Sequence, residues 1–530
     1  MDKQVFRMNL SETLNSLDPA FASARTKIWM TSQLFNGLVS LDSQLNIQPS
    51  IARSYEISED RKTYTFQLKK GVYFHKDPLF GPDSSRSVTA HDFVYSFNRI
   101  CDPDLGSSGF WIFRDKIPGI EAFRSGESKQ ISGFRALNDS VFQVSLSRPF
   151  PAFISLLAMP FAFVVPKEIV DHYGDDFSSH PIGTGPFRFY RWQEGQSLIL
   201  HKNPAYFEQD ETGQALPYLD AVEVSFMSSR LSAFIEFIQD KLDFIGDLDN
   251  SYKDEVLYPD GRIKEDYQRN YQVILAPQLN IEFLCFQMDE EAEVSKGHPI
   301  RDVRIRKAIN HAIDKEKLVK YLLNGMGYPA HAGIVPQGMP GFNADLSAYP
   351  YDLQKARDLL KEAGYPQGKG LPELVLNSTA KYAAISEFVQ KSCEHIGIKI
   401  NVQNMEGGAL RTESKASKLN FWRASWIADY PDPENYLGLL YGSNFSPDGP
   451  NRTHYKDERF DQLYNKSLSI RKDSLRFIVY QKMDSLAMAD APIVPLYYDK
   501  SFRILQKGIS GMVSNPMNHL FLKRVRKTSP

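Results

Sequence analysis

The sequence predicts an α/β fold, and two observations carry that reading. In the first half, apolar and polar residues alternate at period two between turn residues, as in half-buried strands. In the second half, segments with apolar residues every three or four positions are interleaved with short apolar runs, the pattern of helices packed on a sheet. A third observation narrows the choice. Nothing repeats at a spacing of roughly 20–50 residues, which sets aside solenoids and propellers.

The elements follow in order. In KTYTFQLKKGVYF, Tyr64, Phe66 and Leu68 alternate with Thr63, Thr65 and Gln67, predicting a strand. TAHDFVYSFNRI places Phe93, Val94 and Phe97 on one helical face, with Thr89 as the N-cap. SVFQVSLSRPF is a second strand through Phe142, Val144 and Leu146. In RDVRIRKAINHAIDKEKLVKYLLNGMG, Ile305, Ala308, Ile309, Ala312 and Ile313 share a face, and Gly325 ends the helix. YDLQKARDLLKEAGY turns Leu353, Ala356, Leu359, Leu360 and Ala363 inward, with Gly364 just past its end. ISEFVQKSCEHIG is a further helix leading into the strand KINVQ. SLRFIVYQKMDSLAMAD is a long helix followed by the strand IVPLYY.

The chain has 530 residues, three or four domains' worth at about 150 each. It is 42% hydrophobic, 24% charged and 12% aromatic, a globular balance. Sixty-two basic against sixty-four acidic residues leave a net charge of −2, too little field to hold nucleic acid or an anionic membrane. No run is long enough to span a bilayer: the most apolar, 156–165, is broken by Pro160, and a span needs about 20 residues. The opening MDKQVFRMNLSETLNSLDP has no apolar signal-peptide core, which leaves a cytoplasmic protein and a mature exported one both open. Cys101, Cys285 and Cys393 lie far apart, without a CxxC pair, and Cys285 in IEFLCFQM reads as a buried thiol.

The motifs that mark chemistry are missing. The sequence contains no GxxxxGK[ST], no HExxH, no GxSxG and no histidine cluster with metal-ligand spacing. Gly183-Thr184-Gly185 begins like a dinucleotide loop, but no third glycine follows in time. Asp247, Asp249 and Ser251 begin like a calcium loop, but Tyr252 and Tyr258 stand where glycine and glutamate belong. We therefore expect no catalytic residues, no metal and no cofactor. Two segments remain. In SSHPIGTGPFRFYRWQEG the glycines and prolines read first as a tight turn between strands. FWRASWIADYPDPENYLGLLYGSN gathers Trp422, Arg423, Trp426, Asp429, Tyr430, Asp432 and Tyr436 between prolines and a glycine. Aromatic rings beside one cation and one anion suit a zwitterionic ligand. An ordinary surface loop with a helix-capping aspartate fits the same residues as well.

At these residues the chain resembles a known family, the extracellular solute-binding proteins of peptide-type ABC importers (family 5). The matching pieces run in order through nearly the whole chain. They are Leu17-Asp18-Pro19, LFNGLV at 34–39, IARSYEISEDRKTYTFQLKKGVYFH at 51–75, TAHDFVYSFNRI at 89–100 and PIGTGPFRF at 181–189. NPAYF at 203–207, IRDVRIRKAINHAIDKEKLV at 300–319, ADYPDPENY at 428–436, NRTHYKDERFDQL at 451–463 and APIVPLYY at 491–498 complete the set.

The resemblance implies a two-lobed periplasmic-binding-protein fold of type II with an extra inserted domain, closing about a hinge around its ligand. It implies lobe I from 1–46, 181–276 and 498–530, the inserted domain from 47–180 and the other lobe from 277–497. It implies a carrier of short peptides that hands them to membrane permease subunits. Such a carrier is a monomer, periplasmic or lipoprotein-anchored on the outer side of the cytoplasmic membrane. By the family's pattern Asp429 pairs the ligand's α-amino group, Arg423 or Lys381 its carboxylate, Trp426 and Tyr430 lie in the pocket, and Tyr497 and Tyr498 lie beside it. Gly407-Gly408 stand where the family's oligopeptide binders carry an aromatic. The same scaffold also suits a murein peptide, a nickel chelate, haem or an oligosaccharide. A peptide-handling chaperone or an enzyme are the readings from other classes.

Overall fold

The computed structural model describes residues 3–528, in two units. The first takes the chain up to Val256, then Glu265–Ala276, and everything from Ser501 on. The second takes Leu257–Lys264 and Pro277–Lys500.

In the first unit the strand Val5–Asn9 runs parallel to Ala221–Ser225 on one side and to Phe244–Ile245 on the other. Ser197–Lys202 and Phe187–Gln193 extend the sheet antiparallel beyond Ala221–Ser225. Alternation turns Phe6, Met8, Leu198, Leu200, Val222 and Val224 into one core with Trp29 and Leu34 of the helix Arg25–Leu34. Leu505, Leu520 and Leu522 from the end of the chain complete that core.

A separate antiparallel sheet in the same unit has the order Ala52–Ile57, Thr63–Leu68, Val141–Ser145, Phe134–Asn138. The two strands expected from period-two alternation form and pair, with Phe66 opposite Phe142. The helix Ala90–Cys101 covers them. Its Phe93 and Phe97 meet Phe142, Phe134 and Phe113 with ring centroids 4.8–5.6 Å apart. Thr89 starts the helix as expected, its backbone N–H donating to Asp92 at 2.8 Å. Asp18 of the Leu-Asp-Pro motif is buried, accepts from the Ala20 N–H at 2.9 Å and pairs with the partly buried Arg99 at 2.7 Å.

The Gly183-Thr184-Gly185 segment differs from a simple turn. Neither glycine takes a left-handed conformation; what both need is room. A Cβ on Gly183 would lie 2.1 Å from the Leu34 carbonyl oxygen, and one on Gly185 2.4 Å from that of Gln33. The segment lies against the end of the Arg25–Leu34 helix, and the Gly185 N–H donates to the Leu34 carbonyl at 2.8 Å.

In the second unit Ile400–Asn404, Leu374–Ser378 and Phe421–Ile427 are parallel neighbours, and residues 280–286 lie antiparallel to the last. The helices Val303–Ala312, Leu353–Glu362 and Ala383–Glu394 supply Ile305, Ile309, Leu359, Leu360 and Val389 to a core with Leu374, Leu376 and Ile400. Gly364, at φ +91°, follows the second of these as the sequence implies. The first does not reach Gly325. It stops at Ala312, because Ile313 is extended and fully buried. Asp314 then caps a new turn, its carboxylate accepting from the Lys317 N–H at 3.0 Å. The long helix Asp473–Asp490 follows its expected course. Its buried Asp484 accepts from the backbone N–H of Ile334 at 2.9 Å, tying the 333–335 segment to the helix.

Two strands serve both units. Tyr271–Phe286 changes unit after Ala276, and Ile493–Gln506 after Lys500.

Candidate functional site

The segment FWRASWI forms the strand Phe421–Ile427 of the second unit. Its antiparallel register sets Trp422 opposite Cys285, Arg423 opposite Leu284, Ser425 opposite Glu282 and Trp426 opposite Ile281. Opposed residues share a face, so the strand presents two different surfaces. One carries Phe421, Arg423 and Ser425 with Phe286, Leu284 and Glu282. The other carries Trp422 and Trp426 with Cys285 and Ile281.

On the first face, Phe421, Leu284 and Phe286 join the helix-packed core. The polar end of that face is a charge cluster. The Arg423 guanidinium donates to the Glu282 carboxylate, with side chains only 11% and 5% exposed, and lies 3.4 Å from the centroid of the Tyr382 ring. Burial pushes the Glu282 carboxyl up to about 7, against the pull of Arg423. Asp499 is raised by burial as well, held back by the Asn280 amide that donates to it and by the charges of Arg423 and Lys381. Lys381 is exposed, its ammonium 5.3 Å from the Tyr382 ring centroid. The buried Tyr497 completes the group. Burial raises its hydroxyl, and the Glu282 and Asp499 carboxylates raise it further.

Beyond the strand the chain turns through ADYPDPENY, and Asn435 organises the turn. Its side-chain oxygen accepts from the Trp426 indole N–H at 2.9 Å and from the Asp429 backbone N–H at 3.1 Å, and its amide reaches the Asp429 carboxylate at 3.4 Å. The Asp429 side chain stays open to solvent. Enough protein surrounds it that desolvation raises its carboxyl, with Asn435 opposing. Among the described residues no cation pairs with it.

The other members of the segment serve the fold. Asp432 is buried against Arg476 at 2.6 Å, Tyr436 donates to the Leu279 carbonyl at 2.8 Å, and the Tyr430 hydroxyl donates to the Glu434 carboxylate. Tyr498 is 2% exposed, donates to the Gly333 carbonyl at 2.8 Å and packs edge-on against Phe342. Of the two neighbouring tyrosines it is Tyr497 that lies beside the carboxylates. The structure thus brings Arg423 and Lys381 together around Tyr382, and Trp426 and Asp429 together around Asn435. It places Tyr430 and Tyr498 behind them. Glu282, Asn280, Tyr382, Asn435 and Asp499 escaped the sequence reading. Only Glu282 left a signal, a lone carboxylate inside the apolar run NIEFLCF.

Comparison with known proteins sets this geometry in a family. Residues 46–448 match the model of bacterial extracellular solute-binding proteins, family 5 middle. A dipeptide-binding protein of Bacillus subtilis, DppE, is 26% identical over 98% of this chain and 91% of its own length. The periplasmic oligopeptide-binding protein OppA of Salmonella typhimurium is 25% identical over 99% and 92%. Among solved structures, the unliganded open form of the murein tripeptide-binding protein MppA superposes with a TM-score of 0.82 at 23% identity, covering 99% of this chain and 98% of that one. HbpA2 of Haemophilus parasuis does so with 0.83 at 23% identity, covering 99% and 100%. These matches span the whole fold, which is that of the two-lobed periplasmic binding proteins. The chain belongs to family 5 of the bacterial extracellular solute-binding proteins.

Proposed function

We propose that this protein is the solute-binding component of an ABC importer and that it captures short peptides between its two closing lobes for delivery to membrane permease subunits. In this reading it works as a monomer in the periplasm, or lipid-anchored on the outer side of the cytoplasmic membrane. No helix among the described residues is long and apolar enough to cross a membrane. The relatives support the ligand class: several are named for dipeptides or oligopeptides, and the structure of DppA from Helicobacter pylori, at a TM-score of 0.74, contains the peptide STSA.

The single observation that carries the reading is Asp429. It is an oriented carboxylate with no cation among the described residues, raised by its surroundings, beside a tryptophan whose N–H is already satisfied. An ammonium arriving there gains an ion pair in a partly desolvated place and relieves an unbalanced charge. Trp426 walls the position, and Tyr430 buttresses the turn from behind. Lys381 and Arg423 stand in the second polar cluster, but Arg423 already faces Glu282. We assign it a share in balancing that cluster rather than sole hold of a ligand carboxylate. An extended peptide adds main-chain hydrogen bonds at strand ends, which give affinity without sequence preference. The protein does no chemistry on its ligand.

Native mass spectrometry of freshly purified protein, followed by sequencing of whatever denaturation releases, tests the reading. A ladder of short peptides is the expected result, and incubation with added peptides returns them uncut. Release of haem, a sugar or a metal chelate instead would overturn the peptide reading on an unchanged scaffold.

A further inference from the structure

Beside Trp422 and Trp426, the second unit holds a hollow of about 320 Å³. Its apolar walls include Phe283 and Leu410, and its polar lining includes Arg411 of the helix Gly407–Lys415 and Arg452, which reaches Ser414 of the same helix. The charges do not balance. No aspartate or glutamate lines the hollow, and among the described residues neither Arg411 nor Arg452 has an ion-pair partner. Arg452 is half-buried, and its only side-chain hydrogen bond among the described residues is a long one of 3.4 Å to the Ser414 hydroxyl. Burial and the like charge of Arg411 pull its guanidinium below the usual pKa. Cys285, in the same wall, is a buried thiol held neutral and supplies no counter-charge. Arg423 reaches the lining too, but its charge is met by Glu282. Trp422, which also lines the hollow, is 1% exposed, and its buried indole N–H has no hydrogen-bond partner among the described residues.

Arg452 is half-buried without a counter-charge, and the exposed Arg411 adds a second positive charge to the lining, so a negative group entering the hollow is favoured. A guanidinium fork matches the two oxygens of a carboxylate, and a planar acid of a few heavy atoms fits the volume. We propose that Arg411 and Arg452 form a subsite for a ligand carboxylate. The proposal rests on the peptide reading above and deepens it. The carboxylate belongs to an acidic side chain of the bound peptide or to the C-terminus of a short one.

The test is calorimetric titration of wild type, Arg411→Gln and Arg452→Met with four tripeptides: Ala-Glu-Ala, Ala-Gln-Ala, Ala-Ala-Ala and Ala-Ala-Ala amide. If a side chain fills the site, wild type prefers Ala-Glu-Ala to Ala-Gln-Ala by about tenfold or more, the scale of a charge-assisted contact, and each variant erases the preference. If the C-terminus fills it, the same loss appears between Ala-Ala-Ala and its amide. Arg411 is exposed, so its variant keeps the comparison open should Arg452→Met fail to fold. Carboxylate preferences that are absent in wild type, or that both variants retain, overturn the proposal. Failure of all four peptides to bind wild type counts against the peptide reading instead. A thermal-shift titration with glutarate then decides for the subsite. A rise in Tm in wild type that both variants lose supports it, and no rise overturns it.

Discussion

Asp429 and Glu282 are both carboxylates raised by desolvation, and they differ in one respect: Glu282 has its cation and Asp429 does not. The difference sorts their roles. Asp429→Asn keeps the shape and the Asn435 contact but removes the charge, so the fold should stand while peptide affinity falls by about 2–5 kcal/mol, the range for breaking a desolvated charge pair. Unchanged affinity by calorimetry would sink the ammonium assignment. Arg423→Met should instead cost stability, about 3–5 kcal/mol, because it strands the Glu282 carboxylate in a buried place. Adding Glu282→Gln to Arg423→Met should recover much of that loss, and additive losses in urea melts would show that the two residues are not coupled. Asp429, Arg423 and Trp426 could be singled out in the sequence because charge and aromatics crowd one short segment. Their partners could not. Glu282 and Asp499 lie 141 and 76 residues from Arg423, counted along the sequence, and only strand pairing across the sheet brings them near.

Elements are legible when their signal is local. Thr89 marks a helix start through the capping box it forms with Asp92, and Gly364 a helix end through its left-handed backbone. The break after Ala312 was harder to read, because the apolar spacing continues through it while Asp314 competes for the backbone N–H groups. The Gly183–Gly185 segment was legible as special but not why, since the helix end it lies against is about 150 residues earlier. Gly185→Ala should therefore destabilise the protein by roughly 1–3 kcal/mol or more through the clash with Gln33 and Leu34, with no effect on backbone preference. A Tm equal to wild type would refute it. The helix Asp473–Asp490 carries a pH dependence of its own. Burial pushes the Asp484 carboxyl up to about 7. Between the ordinary carboxylate range and pH 7, the folded protein keeps a proton that the unfolded chain releases, so this residue's contribution declines as pH rises and is fully lost above 7. Asp484→Asn, which stays neutral, should gain on wild type across that window by up to about 1.4 kcal/mol per pH unit. A stability difference that stays flat from pH 5 to 8 would contradict it.

At the scale of the whole molecule, ligand must bind the closed arrangement of a two-lobed protein more tightly than the open one if binding is to close it. Small-angle scattering should show a smaller radius of gyration with saturating peptide, and an unchanged radius would count against closure. The fold class was legible because ordered matches run from Leu17-Asp18-Pro19 to the IVPLYY strand. The two strands that change unit after Ala276 and Lys500 have a further meaning for how the chain is made. The first unit begins at the N-terminus, yet its core needs Leu505, Leu520, Leu522 and Val525 beside Phe6 and Met8. A ribosome has to deliver nearly the entire polypeptide before the first strand can acquire its last neighbours, whereas the second unit has all its residues by Lys500. The half that is synthesised first is the half that can finish folding last, which keeps its N-terminal part unfinished, and so threadable, for most of the time that synthesis takes.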